Sequence, residues 1–280
     1  MLKLSRDIRG TLHLMMQLTR PVVYLDHWAV RLLSENEVLG DKFVSALHRA
    51  GGTLLFSQAN LFEFAAMNSI DTARQVERLL EKVLPALYVA DTSSDKAFIA
   101  GTGIKKYNAV DSVNAPDQNW MLKDLLARAE IRGGKLNMHR FISDAIDHRD
   151  LLLPEFEDLK KQISGAIISL TLDPHKRAKA ANFVPVSGMT LHEVLLHELI
   201  RQPLIDPTYQ FTENDAMDLV HAVPACLASD YVLLDKSWCH KVRVATSRIR
   251  KAGITGDIAQ CFTQAQLPAF LAELGTKKTQ

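Results

Sequence analysis

Short continuous apolar runs punctuate this chain, and helical spacing fills the distance between them. Val22-Val23-Tyr24-Leu25, Thr53-Leu54-Leu55-Phe56 and Tyr231-Val232-Leu233-Leu234 are the clearest runs. Unbroken runs of this length are what strands buried on both faces require, as in a parallel sheet. Ala86-Leu87-Tyr88-Val89-Ala90 has the same character, and residues 257–262 read as an edge strand. Helical patterns are predicted over 27–50, 71–85, 214–228 and 236–252, with Gly51-Gly52 stopping the first. Ser57 is a candidate N-cap for a further helix carrying Glu63. Residues 1–20 read as a short helix or an extension. Residues 92–212 are mostly helical in pattern, with apolar positions three and four apart in 120–131, 156–172 and 190–201.

The expected fold is therefore α/β, with a central, mostly parallel sheet of four to five strands flanked by helices. Residues 1–20 form an N-terminal extension. One domain spans 21–262, assembled from 21–91 and 213–262 around a large helical insertion, 92–212, read as a cap or lid. Residues 263–280 form a C-terminal helix and tail.

Acidic residues follow the strand runs. Asp26 and Asp235 end the first and last of them, and Glu63 follows the second. Asp215 and Asp218 open the helix before the last run and, three apart, share a helical face. In open α/β sheets the ligand site lies beyond the carboxyl ends of the strands. Each acid has a plain structural alternative: a cap at Asp26, a macrodipole contact at Glu63, a first-turn acid at Asp215 or Asp218, a turn at Asp235. Their coincidence at equivalent places argues for a site. Clustered carboxylates repel one another, and a bound divalent cation is the usual reason for them. An oxygen-rich set without nearby cysteine suits Mg²⁺ or Mn²⁺ better than zinc.

Composition changes this picture little. Hydrophobic content of 47% and charged content of 23% are ordinary for a soluble globular protein, and the net charge of +1 selects no partner. Charge is uneven locally, however. Residues 236–256 hold six lysines or arginines and no acid, which makes either a solvated face or a phosphate-contacting rim beside Asp235. Lys236, Lys241 and Arg243, together with Asn60, are the candidate substrate contacts. His27 and His221 read as core or surface histidines, although His221 lies one turn beyond Asp218 and within reach of substrate. Trp28 and Trp238 read as packing residues, with base stacking as the alternative.

Other chemistries are set aside. Three widely spaced cysteines form no CxxC pair, which suits a reducing compartment and a cytoplasmic location. The opening segment is a poor signal peptide, and no apolar run nears the ~20 residues that span a bilayer. His192 and His197 lie five apart, about 140° around a helix, and not on the shared face that a zinc-protease motif needs. No phosphate-binding glycine loop is present.

The order and setting of the acids resemble the PIN-domain nuclease family over about 20–90 and 210–262. The matching stretches are Val22-Val23-Tyr24-Leu25-Asp26, Ser57-Gln58-Ala59-Asn60-Leu61-Phe62-Glu63, Asn214-Asp215-Ala216-Met217-Asp218-Leu219-Val220-His221-Ala222 and Ser229-Asp230-Tyr231-Val232-Leu233-Leu234-Asp235-Lys236. The resemblance implies a metal-dependent endoribonuclease in which Asp26, Glu63, Asp218 and Asp235 are catalytic. The metal, Mg²⁺ or Mn²⁺, would be held by Asp26, Asp218 and Asp235 together with Glu63, with Asp215 as an alternative or additional ligand. It further implies RNA as substrate, a toxin or phage-defence role, an inhibitory protein partner and a homodimer. The alternative within the same resemblance is a catalytically silent module that binds RNA or protein. Asp230, at the start of its strand, is expected to point away from the site. The chain departs from compact family members in its long helical middle and in Pro224, which predicts a kink in the helix carrying Asp218.

Overall fold

The computed structural model describes residues 1–90, 110–111, 120–186, 188–206 and 208–277. The chain opens with strands β1 (Leu2–Arg6) and β2 (Leu12–Met16), paired antiparallel. The expected helix or extension over 1–20 is thus a hairpin. Leu2, Leu12, Leu14 and Met16 are buried, and within β2 they fall two apart, a period of two rather than 3.6. Asp7 holds the turn by accepting from the backbone N–H groups of Arg9 and Thr11, and Gly10 adopts φ +81°.

The first half of the α/β unit follows as β3 (Val22–Leu25), α1 (His27–Glu35), α2 (Glu37–Arg49), β4 (Thr53–Ser57), α3 (Gln58–Met67), α4 (Ile70–Val83) and β5 (Leu87–Ala90). The single helix expected over 27–50 is two. Asn36 ends α1 and caps α2 by accepting from the Leu39 N–H, which offers the backbone an alternative to continuing the helix. Gly40 is required at this junction, because a Cβ there would lie 2.5 Å from the Leu33 carbonyl oxygen.

Strand β6 (Val110–Asp111) joins β2 to complete a small three-stranded sheet. The middle then runs through α5 (Trp120–Ile131), α6 (Ser143–Asp147), α7 (Arg149–Leu172), α8 (Pro174–Ala181) and α9 (Leu191–Ile205). The remainder of the expected insertion, 92–109 and 112–119, and Asp91 lie outside the described residues. The chain returns to α/β form with α10 (Glu213–Ala228), β7 (Tyr231–Leu233), α11 (Lys236–Lys251), β8 (Gln260–Phe262) and α12 (Leu267–Thr276). Helix α10 continues through Pro224 to Ala228.

Five strands form one parallel sheet in the order β5-β4-β3-β7-β8. Every residue of β3, β4, β5 and β7 is buried, as their unbroken apolar runs require. The chain leaves β3 toward β4 and β5, then returns to its other side with β7 and β8. The strand order therefore reverses between β3 and β7, and a crevice opens there at the carboxyl ends. Helices α1, α2, α4 and α12 pack with one another, whereas α7 packs on α3 and α10, and α9 on α10 and α11. The middle region thus sits on the helices that begin at the sheet's carboxyl end. The hairpin and the middle also share the main apolar core: Leu14, Met16, Met121, Phe141 and Leu195 join it beside Val23 and Val232. Among the described residues no helix is long and apolar enough to cross a membrane.

Candidate metal centre

Each acid is delivered by the way a strand hands over to a helix. The Asp26 N–H extends the ladder from β3 to the Leu233 carbonyl, and its side chain then caps α1 by accepting from the His27 N–H at 2.8 Å. Asp235 does the same after β7, accepting from the Trp238 N–H at 2.8 Å as the N-cap of α11. Asp26 fills the capping role named as its structural alternative, whereas Asp235 is a helix cap where a turn was the alternative, and capping fixes where both point.

Glu63 is placed by α3. Ser57 and Asn60 form a reciprocal capping box at its start, and the Asn60 amide also donates to the Leu25 carbonyl at 3.2 Å. Asn60 thereby ties the end of β3 to the start of α3, one residue before Asp26. Its side chain is fully buried, so the substrate contact expected of Asn60 is replaced by a structural brace.

Helix α10 contributes Asp218 and, one turn later, His221. His221 is 2% exposed, and its Nδ1 meets the Tyr24 hydroxyl inside β3. Its Nε2 lies 3.2 Å from Glu63 Oε2, yet the two atoms do not meet as a hydrogen bond, and both are buried without such a partner. Buried polar atoms without a partner are uncommon and ask for an explanation. Asp26, Glu63 and His221 offer ligand atoms that all lie within 4.8 Å of one another. A cation among them satisfies both orphaned atoms. The bond at Nδ1 leaves Nε2 as the ligating nitrogen, with Tyr24 orienting the ring from behind.

This donor set differs from the all-carboxylate set expected. An imidazole joins two carboxylates. In the sequence alone His221 reads as a core, surface or substrate-touching residue, and Tyr24 carries no mark of function. A signal for His221 did exist, since it shares a helical face with Asp218 at a separation of three. Tyr24 gave none, being one apolar residue in a buried strand.

Charge in the crevice is unbalanced. Burial pushes the Asp26 carboxyl up to about 6, with His221 pulling it down and Glu63 and Asp235 pushing it further up. Burial, Asp26 and Asp235 push Asp218 up to about 7. Burial opposes charge on Glu63, but His221 outweighs it and the carboxyl falls below its ordinary value. His221 loses from burial and gains more from Glu63, Asp26 and Asp218, rising to about 9. Asp26, Asp218 and Asp235 have no lysine or arginine at ion-pair distance among the described residues.

Asp215 stands apart. It accepts from the backbone N–H and hydroxyl of Thr212 in a capping box, from the Tyr209 hydroxyl at 2.6 Å, and lies 3.4 Å from the Lys241 ammonium. Burial raises its carboxyl, and these donors more than reverse that. Asp215 belongs to this network and not to the ligand group of Asp26, Glu63 and His221.

The expected basic rim is also engaged. Lys241 is buried, 4.0 Å from the centre of the Trp238 ring and 2.8 Å from the Tyr209 hydroxyl. Arg243 donates to the Cys261 carbonyl and to Gln266. Lys241 is thus held inside the protein, whereas Arg243 is exposed but already engaged by two acceptors. Lys236 is exposed and lines a cleft of about 630 Å³ with Trp28, Asp235, Thr263, Gln264 and Ala265. Asp230 points away as expected: it accepts from the Val22 N–H at 2.7 Å and pairs with Arg20 at 2.8 Å, at the opposite end of the sheet. His197 stacks on Phe183, ring centres 4.9 Å apart. No protein-family model matches this chain, and neither a curated protein nor a solved structure does so.

Proposed function

We propose that this protein is a divalent-cation-dependent, PIN-like endoribonuclease whose centre is built from Asp26, Glu63, His221, Asp218 and Asp235. The observation that carries the reading is the convergence of ligand atoms of Asp26, Glu63 and His221 within 4.8 Å where the strand order reverses, with Glu63 Oε2 and His221 Nε2 3.2 Å apart and neither in a hydrogen bond. Asp26, Glu63 and His221 would hold the cation. When bound, such a cation lowers the pKa of a water and offsets charge developing on a phosphodiester. The chain's own groups complete the site. Tyr24 orients His221, the Asn60 brace positions Glu63 against Asp26, and Asp218 holds a proton near neutral pH until positive charge draws it off. RNA as substrate, and a toxin or phage-defence role, follow from the sequence resemblance.

The test is incubation of wild type and Asp235→Asn with mixed RNA and single-stranded DNA in Mn²⁺, Mg²⁺ and EDTA. Mn²⁺-dependent RNA cleavage by wild type alone is the expected result. Equal cleavage by both proteins would sink the site assignment, and preference for DNA would sink the substrate class.

A second reading is a silent module that binds RNA or protein. The closeness of Glu63 to His221 favours it, since a buried ion pair could close the site without metal. RNA binding without cleavage, and without any effect of Mn²⁺ on melting, would select it.

A further inference from the structure

The nuclease reading leaves one requirement unmet. A crevice crowded with carboxylates repels a polyanion, and two of the cations expected to offset this are already engaged: Lys241 is buried against Tyr209, and Arg243, though exposed, donates to the Cys261 carbonyl and Gln266. We infer that the middle region supplies a cation in addition to the exposed Lys236: Lys160 of α7 contacts the phosphate backbone of the RNA beside the centre. The inference rests on the nuclease reading and extends it by assigning a role to α7.

The geometry begins with a small satellite core. Phe156 of α7 packs against Phe62 of α3, ring centres 4.8 Å apart, and Ala59 of α3 and Met217 of α10 close the cluster. Phe62 is the chain neighbour of Glu63, and Met217 of Asp218. Helix α7 is therefore clamped onto the two helices that carry the centre, next to the residues that face it. Lys160 lies one turn beyond Phe156, its ammonium 5.4 Å from the centre of the Phe156 ring. The side chain is only 14% exposed, so its aliphatic stem is packed, and the ammonium lies over the Phe156 ring that joins α7 to α3. Its ion-pair partner is Glu157, at 2.6 Å on the same helix and 39% exposed. A pair of that kind is weak and readily exchanged for a phosphate. The charge of Lys160 is felt at Glu63, where it adds to His221 and His27 in favouring the carboxylate.

The experiment uses the full chain and a labelled single-stranded RNA oligonucleotide. Binding is read by anisotropy across a salt series with Ca²⁺ present, and cleavage is read separately in Mn²⁺. Lys160→Gln is expected to weaken binding by on the order of tenfold and to flatten the salt dependence by about 0.7 in the log–log slope. KM should rise more than kcat falls, and Mn²⁺ affinity should hold. Lys160→Arg should restore most of the binding. Glu157→Gln, which frees the ammonium, should tighten binding, an effect in the opposite direction that misfolding does not produce. Unchanged salt slope and KM in Lys160→Gln, with wild type still cleaving, would overturn the inference and leave the nuclease reading standing. No RNA binding and no cleavage by wild type would overturn both.

Discussion

The two ends of the central sheet handle aspartates in opposite ways. At the amino end, Asp230 is matched: a backbone N–H and the Arg20 guanidinium meet its two oxygens. At the carboxyl end, five residues further along the chain, Asp235 joins Asp26, Glu63 and Asp218 around one buried histidine. The first arrangement is what stability alone favours. The second is costly in the absence of a cation, because burial and mutual repulsion push Asp26 and Asp218 toward protonation. Strain of this kind is found where function demands it.

The contrast can be broken most severely at Asp26. Asp26→Asn should lower Mn²⁺-dependent cleavage by about 100- to 1,000-fold, an effect of the size seen when one electrostatic stabiliser of a transition state is removed. The same variant should melt no lower than wild type in EDTA at pH 8, since it removes a repelled charge. Collapse of its melting transition would instead mark Asp26 as purely structural.

Tyr24→Phe removes only the hydroxyl behind His221. Loss of a group that orients a ligand weakens metal binding by about 10- to 100-fold. Calorimetric titration with Mn²⁺ measures it, and unchanged affinity would remove His221 from the ligand set.

The matched end should respond in stability and not in chemistry. Asp230→Ala leaves the Val22 N–H without its acceptor and should cost about 1–2 kcal/mol in denaturant unfolding. Mn²⁺ affinity should be unchanged, and a parallel loss would mean that the two ends are coupled.

The smallest effect is a pH trend. Asp26 and Asp218 are raised carboxyls, so the folded state holds protons that the unfolded chain has released, and metal-free stability falls as pH rises from about 4 toward 7. His221 is also raised, so its contribution is full below about 6.5 and is lost as pH rises through about 9. Glu63 is lowered, and its contribution is lost only on the acid side. Melting in EDTA should therefore decline from pH 6 to pH 9, and Mn²⁺ should raise it more at pH 8 than at pH 6. A melting temperature that rises with pH in EDTA would contradict the raised carboxyls.

Much of the framework is legible along the chain. Buried parallel strands need unbroken apolar runs, so β3, β4, β5 and β7 announce themselves, and β8 follows from the residues after α11. Capping chemistry is local too, which is why Ser57 marks the start of α3. Asp26 and Asp235 are placed by the same logic, because a residue just past a strand at this sheet edge has nowhere else to be. The N-terminal hairpin was within reach of a period-two count, but a short amphipathic stretch is ambiguous between the two periods.

What the chain alone determines, then, is where backbone elements begin and which acids arrive at the carboxyl end. Which side chains meet there is decided by packing between segments nearly two hundred residues apart. Tyr24 touches His221 only because α10 lies over β3. Asp215 is drawn out of the centre by Tyr209 and Lys241, and Arg243 is taken by the β8 carbonyl of Cys261. The physical reason is range: apolar periodicity and caps act within a few residues, whereas charge, desolvation and ligation depend on distances that exist only once the chain has folded.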